Sequence, residues 1–418
     1  MFNTMAKTIF VLVIKIVTVI IKRNEDTLLF ILHKPVHMAI KLQASIFLFS
    51  LLILIGCRNV RNESSEIKDD PQIMNVSGQK QLYMGETDYP TSGTIRYYEQ
   101  DGKSYVVQCN DRMRTIAVYD YTTGKKVGEK DVSRLLPGGE LFAYNSDTIV
   151  STIDADPSIV SFYCPENRSS MNVPVVVEEH HIEQYPRCFP EGAIFMNGKW
   201  YFSCYRLGEY PELMDKGKDR LPVLEVDFQK DKWEFIGGYP ELYAQNNMGS
   251  LNYWVPFICG NTEENKILIG YSASPDIHIY SVKERTTESV SIKSIYADTI
   301  PLPLTKKGRD YFSDSDSYYH FAQYPHYGPL CYDPWKRLYY RFVGIGLNDW
   351  ELDKNPLLQY QKKWSVMIFD RSFKKLGEKA IGDKYNTIYH FVSPEGLYIL
   401  DKDKNEDIAT YSLFTVNL

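Results

Sequence analysis

One unit recurs along this chain and limits what it can fold into: an apolar strand, a gap, a second strand, a tight polar turn and a third strand. The second strand with its turn reads IAVYDYTTGKKVGE (116–129), PVLEVDFQKDKWEF (222–235), IHIYSVKERTTESV (277–290) and WSVMIFDRSFKKLGE (364–378). Weaker copies are SIVSFYCPENRSSMNV (158–173) and DIATYSLFTV (407–416). Apolar residues alternate and a short charged turn closes a hairpin. A strand precedes each copy: SYVVQCN, DTIVSTID, KWYFSCYR, KILIGYSA, RLYYRFVG and GLYILD. An earlier strand precedes most of these, as in FICGNTEENK and LCYDPWKR. The unit is a four-stranded meander, and six of them predict an all-β chain, a six-bladed β-propeller of antiparallel blades. The alternative is a pair of β-sandwiches, which also use many short strands. One hairpin type throughout and no interrupting linker over 80–418 favour the propeller. An early strand near 80–98 is expected to complete the last blade and close the ring.

In such a blade the a–b and c–d turns lie on one face, and the b–c loops and d–a crossings on the other. The long connections here are 206–221, about 294–325 and 343–363, and alternation puts all three on the second face. Long loops in a compact domain are usually functional or disordered. These are rich in Tyr and Trp, the residue types of binding hot spots, so this face is the expected binding face.

The N-terminus reads as an export signal. The run ASIFLFSLLILIG (44–56) follows Lys41 and ends in Leu54-Ile55-Gly56-Cys57. A basic residue, a dozen apolar residues and a small residue are the anatomy of a secretory signal. L-I-G-C resembles a bacterial lipobox, which implies cleavage before Cys57 and acylation of its sulfur. A start at Met38 would give a signal of ordinary length. The run is shorter than the roughly 18–20 apolar residues of a spanning helix. The predicted organisation is a signal over 1–56, a lipidated Cys57 with a flexible tether to 80, and a propeller over 81–418. Arg58 follows the cysteine where an Asp would favour inner-membrane retention, so an outer-membrane lipoprotein is expected.

The chain carries a net −6. Residues 1–56 hold six Lys/Arg and two Asp/Glu, a net of +4, so the remainder carries −10. That argues against nucleic acid as a partner and leaves the lipid as the expected contact with membrane. No C-x-x-C pair marks a zinc or redox site. After Cys57 six cysteines remain, mostly in apolar strands, and buried free thiols with at most one bridge are expected.

Several constellations could carry chemistry. His320 and His326 flank Tyr324, with Arg341 on the next strand; such a set could do acid–base work or hold a metal, or it could brace loops at the propeller mouth. His180-His181-x-Glu183 lacks the helical H-E-x-x-H spacing. The acidic run DKDKNED (401–407) lacks the Gly and Glu of a calcium loop, and DSDS (314–317) is only superficially calcium-like. Glu209, Asp349 and Glu351 share the long-loop face, where two carboxylates at glycosidase spacing would be needed for hydrolysis.

At RLGEYP (206–211), 321–350, 362–378 and 391–414 the chain resembles a family of Bacteroides-type lipoproteins numbered as domain of unknown function 4221. The resemblance covers most of 80–418. It implies a six-bladed, TolB-like propeller on an exported lipoprotein, and no activity. The leading expectation is an unknown ligand (a glycan, a peptide or a partner protein) bound on the long-loop face by Arg206, Tyr210, His320, His326, Tyr327, Arg341 and Trp350. Arg would grip a carboxylate or sulfate, and the aromatics would stack. No catalytic residue, metal or cofactor is assigned. The alternatives are a glycan hydrolase or lyase in the propeller mouth and a non-catalytic assembly scaffold.

Overall fold

The computed structural model describes residues 73–86, 88–133, 139–153, 158–164, 169–175, 184–188, 192–206, 221–245, 251–297, 320–347, 362–402 and 405–417. The chain divides into two units, Met1–Glu66 and Ile67–Leu418, and the described residues belong to the second. The signal segment and Cys57 lie outside them.

Strand β1 (Met74–Tyr83) comes first and is used last. Blade 1 is β2 (Ile95–Gln100), β3 (Lys103–Asn110), β4 (Thr115–Asp120) and β5 (Lys126–Asp131). Blade 2 is β6 (Glu140–Ala143), β7 (Ile149–Ile153), β8 (Ser158–Cys164) and β9 (Ser169–Val175). In blade 3 the innermost strand is split into β10 (Gln184–Arg187) and β11 (Ile194–Met196), both paired with β12 (Lys199–Arg206); β13 (Val223–Asp227) and β14 (Lys232–Ile236) follow. A short helix, α1 (Glu241–Gln245), leads to blade 4: β15 (Pro256–Asn261), β16 (Lys266–Tyr271), β17 (Ser274–Ser281) and β18 (Thr286–Ser291). Blade 5 is β19 (His326–Asp333), β20 (Leu338–Gly344), β21 (Trp364–Asp370) and β22 (Lys375–Gly382). Blade 6 is β23 (Tyr385–Ser393), β24 (Gly396–Asp401) and β25 (Ile408–Val416), with β1 as its outer strand. The fold is the predicted six-bladed antiparallel propeller.

Turn chemistry sets the register of the hairpins. Asp101-Gly102 and Asn197-Gly198 each put two residues at positive φ (51° and 73°, 54° and 76°) between paired strands. That is the backbone of the two-residue hairpin turn whose twist matches the strands. At the c–d turn of blade 5 the Asp370 carboxylate accepts from the amides of Ser372 and Lys374.

Six apolar clusters fill the six gaps between neighbouring blades. Strand periodicity explains them. Along β16, Ile267 and Ile269 face the blade 3–4 gap, while Leu268 faces the blade 4–5 gap. Successive side chains point to opposite faces, and here both faces are buried, so the strand reads as an unbroken apolar run. Each such buried side chain stabilises the fold by roughly 1.5–3 kcal/mol. The outermost strand β18 is nearly all exposed, and its sequence TTESVS is polar to match.

The ring closes where β1 pairs with β25, from Met74 opposite Val416 to Tyr83 opposite Ile408. The Asn417 amide donates to the Ile73 carbonyl at 2.9 Å. Two expectations are corrected. The closing strand is 74–83, whereas Ile95–Gln100 opens blade 1. Residues 74–80, expected in the tether, belong instead to β1, because the edge of β25 offers unpaired backbone that they satisfy. Cys109, Cys188, Cys204, Cys259 and Cys331 are free. The side chain of Cys164 lies outside the described residues.

Candidate functional site

The innermost strands of all six blades line one axial cavity of about 240 Å³. It reaches the end of the ring that carries the short a–b turns, since Thr262, Pro334 and Trp335 border it. Its lining is mixed: Tyr144, Phe195, Tyr332 and Phe391 border it alongside the polar Arg96, Thr262 and His390, and Trp335, 45% exposed, stands at its rim. The ring of Trp335 meets that of Tyr97 edge to face at 5.5 Å. On blade 4 the wall thins to Gly260, where a Cβ would come within 2.6 Å of Ile194 on blade 3. The absent side chain lets these two strands approach.

One cation lines this cavity. Arg96 comes from the middle of IRYYEQ in β2. Its guanidinium lies 4.3 Å from the Tyr144 ring centroid and 6.0 Å from that of Phe142. The Nε is buried without a hydrogen-bond partner. Burial lowers its pKa from the ordinary arginine value and the Tyr144 hydroxyl opposes that. No Asp or Glu is among the described lining residues. His390 is held neutral: burial pulls it down to about 4, against hydrogen bonds to the Thr387 and Ile388 carbonyls. Its Nδ1 is 2.8 Å from the Thr387 carbonyl, so the proton sits there. The two thiols of the wall are protonated, since burial pushes Cys259 up to about 12 and Cys331 well above the ordinary thiol. The described wall thus offers a fixed cation and aromatic faces, with no carboxylate and no thiolate.

The residues singled out from the sequence lie elsewhere. His320, His326, Tyr327 and Arg341 lie within and beside blade 5, and all four are buried. Arg341 is fully buried, because it sits in β20, whose two faces are both covered. Its Nη1 donates to the Pro275 carbonyl at 3.0 Å and its Nη2 to those of Tyr271 and Ser274 at 3.1 and 3.0 Å. It also lies 4.1 Å over the Tyr327 ring. Desolvation lowers its pKa to about 10. The side chain expected to grip a ligand anion instead clamps blade 4 to blade 5. Tyr327 packs into the same gap, its hydroxyl accepting from the Ser294 amide at 3.1 Å.

His326 is sealed by Lys362, a residue the sequence reading passed over. The Lys362 ammonium donates to the carbonyls of Phe321 and Tyr324 (2.7 Å to the latter) and lies 3.0 Å from His326 Nδ1. Burial pulls Lys362 down. Burial, then the Lys362 charge, pulls His326 far below its ordinary value, so the imidazole is the neutral acceptor. His320 lies against the rings of Tyr253 and Tyr324. Arg206 ends β12, and its side chain lies outside the described residues, as do Tyr210 and Trp350. So do His180, His181, Glu183, Glu209, DSDS (314–317), Asp349 and Glu351. In DKDKNED, Asp401 accepts from Ser412 Oγ at 2.7 Å, locking β24 to β25. Among the described residues no group of three or more His, Cys, Asp or Glu could hold a metal ion.

The other end of the ring carries two further features. A cavity of about 420 Å³ lies between blades 6 and 1, bordered by Tyr89, Asn386, Lys402 and Thr410. Between blades 1 and 2 a carboxyl pair was also missed. Asp111 is pushed up to about 7, by burial first and against the hydrogen bond from the Leu141 amide, with Glu140 adding to the rise. Glu140 is held by Arg187 (2.8 and 3.0 Å) and by the Cys188 amide at 2.8 Å. Both carboxylates join neighbouring blades, and neither borders the two cavities described.

The search of curated proteins finds no match. Among solved structures, the fold is similar to a DUF4221 family member from Bacteroides vulgatus, with a TM-score of 0.70 and 17% identity over 84% of this chain and 99% of that one. More distant are a Bacteroides fragilis protein proposed to be exported (TM-score 0.45, 11% identity, 84% and 97% covered) and a luciferin-regenerating enzyme (0.42, 9%, 81% and 98%). The family description of DUF4221, a domain of unknown function, matches residues 164–380, just over half of the sequence. This chain belongs to the DUF4221 family.

Proposed function

We propose that this chain is a binding protein without catalysis, whose propeller holds a small ligand in its axial cavity. The observation that carries this reading is the convergence of six innermost strands, from residues far apart in sequence, on one cavity that sets aromatic residues beside a single cation among the described lining residues. Concave sites that combine apolar and aromatic side chains with a few placed polar groups are the usual form of a small-molecule site. The fold itself implies no reaction, and the described wall holds no acid–base pair. The expected long-loop face remains a second surface, supported by the 420 Å³ cavity there.

A plug tests the reading. Thr262 is exposed at the cavity border, so Thr262→Trp should fill the mouth without disturbing the blades. Ligand-observed NMR against a diverse fragment set should give hits that Thr262→Trp loses while its melting temperature is unchanged. Hits indifferent to the plug, or an absence of hits, would sink the axial reading.

Export and acylation at Cys57 belong to the same proposal, supported by the 44–56 run and L-I-G-C. Labelling of cells with an alkyne fatty acid should mark the wild type in the outer-membrane fraction and spare Cys57→Ser. Equal labelling of the two would refute lipidation at this cysteine.

A further inference from the structure

Resting on the axial reading, we infer that the cavity is built for a small ring compound bearing one carboxylate, with Arg96 as its anchor. Four observations lead there.

Arg96 has no ion pair and no side-chain hydrogen bond among the described residues, and its Nε is buried. A buried Nε–H without a partner is costly, and the cost is offset when an anion arrives. At Arg341, by contrast, three carbonyls answer the Nη donors.

The guanidinium is also held in place. It lies over the Tyr144 ring at 4.3 Å, on a strand whose neighbours Tyr97 and Tyr98 are buried. A stacked arginine presents a planar fork with little freedom left to lose, and that fork matches a carboxylate in bidentate fashion.

The charge count sets the ligand's charge. Arg96 is the one formal charge among the described lining residues, with His390 neutral and no acid beside it. One cation in a small cavity balances one negative charge; a phosphate dianion would be left half-compensated. The cavity is thereby positive inside a chain of net −6.

Shape sets the rest. A volume of about 240 Å³ corresponds to roughly eight waters at about 30 Å³ each, room for a single ring. Tyr144, Phe195, Tyr332 and Phe391 are among the residues that would meet that ring, with Trp335 at the mouth. Aromatic rings and the C–H faces of sugars both stack on such walls, so a benzoate-like acid and a hexuronate share the required chemistry.

The test is isothermal titration of the full-length protein with four probes: benzoate, benzamide, glucuronate and glucose. The acid that fits should bind roughly ten- to a hundred-fold more tightly than its neutral counterpart. The benzoate and glucuronate arms decide between an aromatic acid and a sugar acid. Arg96→Gln should erase the preference for the acid, and Arg96→Lys should restore part of it. Quenching of Trp335 fluorescence, absent in Trp335→Phe, should accompany binding. Equal binding of an acid and its neutral partner overturns the inference, as does a preference that survives in Arg96→Gln. If neutral rings bind and the Thr262→Trp plug removes them, the axial reading stands while the carboxylate inference falls. If none of the four probes binds at millimolar concentration, the carboxylate inference is overturned, and the fragment screen alone decides the axial reading.

Discussion

Arg341 and Arg96 occupy opposite situations in one ring. Arg341 lies in the second strand of blade 5, between two packed gaps, and three carbonyls of blade 4 receive its donors. Arg96 lies in the innermost strand of blade 1, beside an open axis, with an aromatic ring and no acceptor. Both are arginines among tyrosines. For these two cations the role follows from radial position: the second strand of blade 5 is covered on both faces and its arginine ties blades together, while the first strand of blade 1 borders the axis.

The largest expected effect separates the two. Arg341→Met should destabilise the protein by about 3–5 kcal/mol in urea denaturation, since it strands three buried carbonyls. A cost below about 1 kcal/mol would mean that the clamp contributes little. Next comes the buried ammonium of blade 5. Lys362→Met leaves the Phe321 and Tyr324 carbonyls and His326 Nδ1 without a donor, and about 2–3 kcal/mol should be lost. A neutral result would show that the 320–326 turn holds without it.

Acid should weaken the protein through its neutral histidines. His390 has its pKa lowered to about 4 in the fold, against about 6.5 in an unfolded chain. Between those values the unfolded state binds the extra proton, so stability is fully present above pH 6.5 and falls as pH drops toward 4. The share from His390 is at most about 2 kcal/mol at pH 5. His326 adds to the loss in the same direction. Asp111, raised to about 7, works in the opposite direction over the same range, so the His390 share is read as a difference: from pH 7 to pH 5 His390→Gln should lose less stability, or gain more, than the wild type, and an identical pH dependence of the two would assign the acid limb to other groups. The smallest effect is the sharpest contrast. Arg96→Met, which removes a cation with no partner, should change stability by no more than about 0.5 kcal/mol or raise it. A loss near that of Arg341→Met would erase the distinction between the two.

The blades were legible because their signals are local. Asp101-Gly102 and Asn197-Gly198 announce hairpins, and KILIGY announces a strand covered on both faces. The split of the third blade's innermost strand was not legible, since QYPR and IFM are each too short to carry a period. Neither was the start of the ring, because MNVSGQKQLY looks like a tether until its partner, more than three hundred residues away, is in view. The site was missed for a related reason. Arg96, Tyr144, Phe195, Gly260, Tyr332 and Phe391 meet only at the axis, and no spacing in the chain announces them. His320, His326 and Arg341 stood out by residue type instead. One signal could have redirected attention: an arginine inside LYYRFVG, a strand apolar throughout, needs its acceptors within the fold.

The pairing of β1 with β25 has a consequence for how the protein is made. A chain synthesised from its N-terminus produces Met74–Tyr83 more than three hundred residues before Ile408–Val416. The first strand of the ring must wait for β25 before it finds its neighbour, and such distant contacts form slowly. Until then both edges are open to a strand from another copy, so two unfinished chains can exchange β1. A product cut short before residue 408 keeps that edge open for its lifetime, and closure becomes the mark by which a finished ring differs from a broken one.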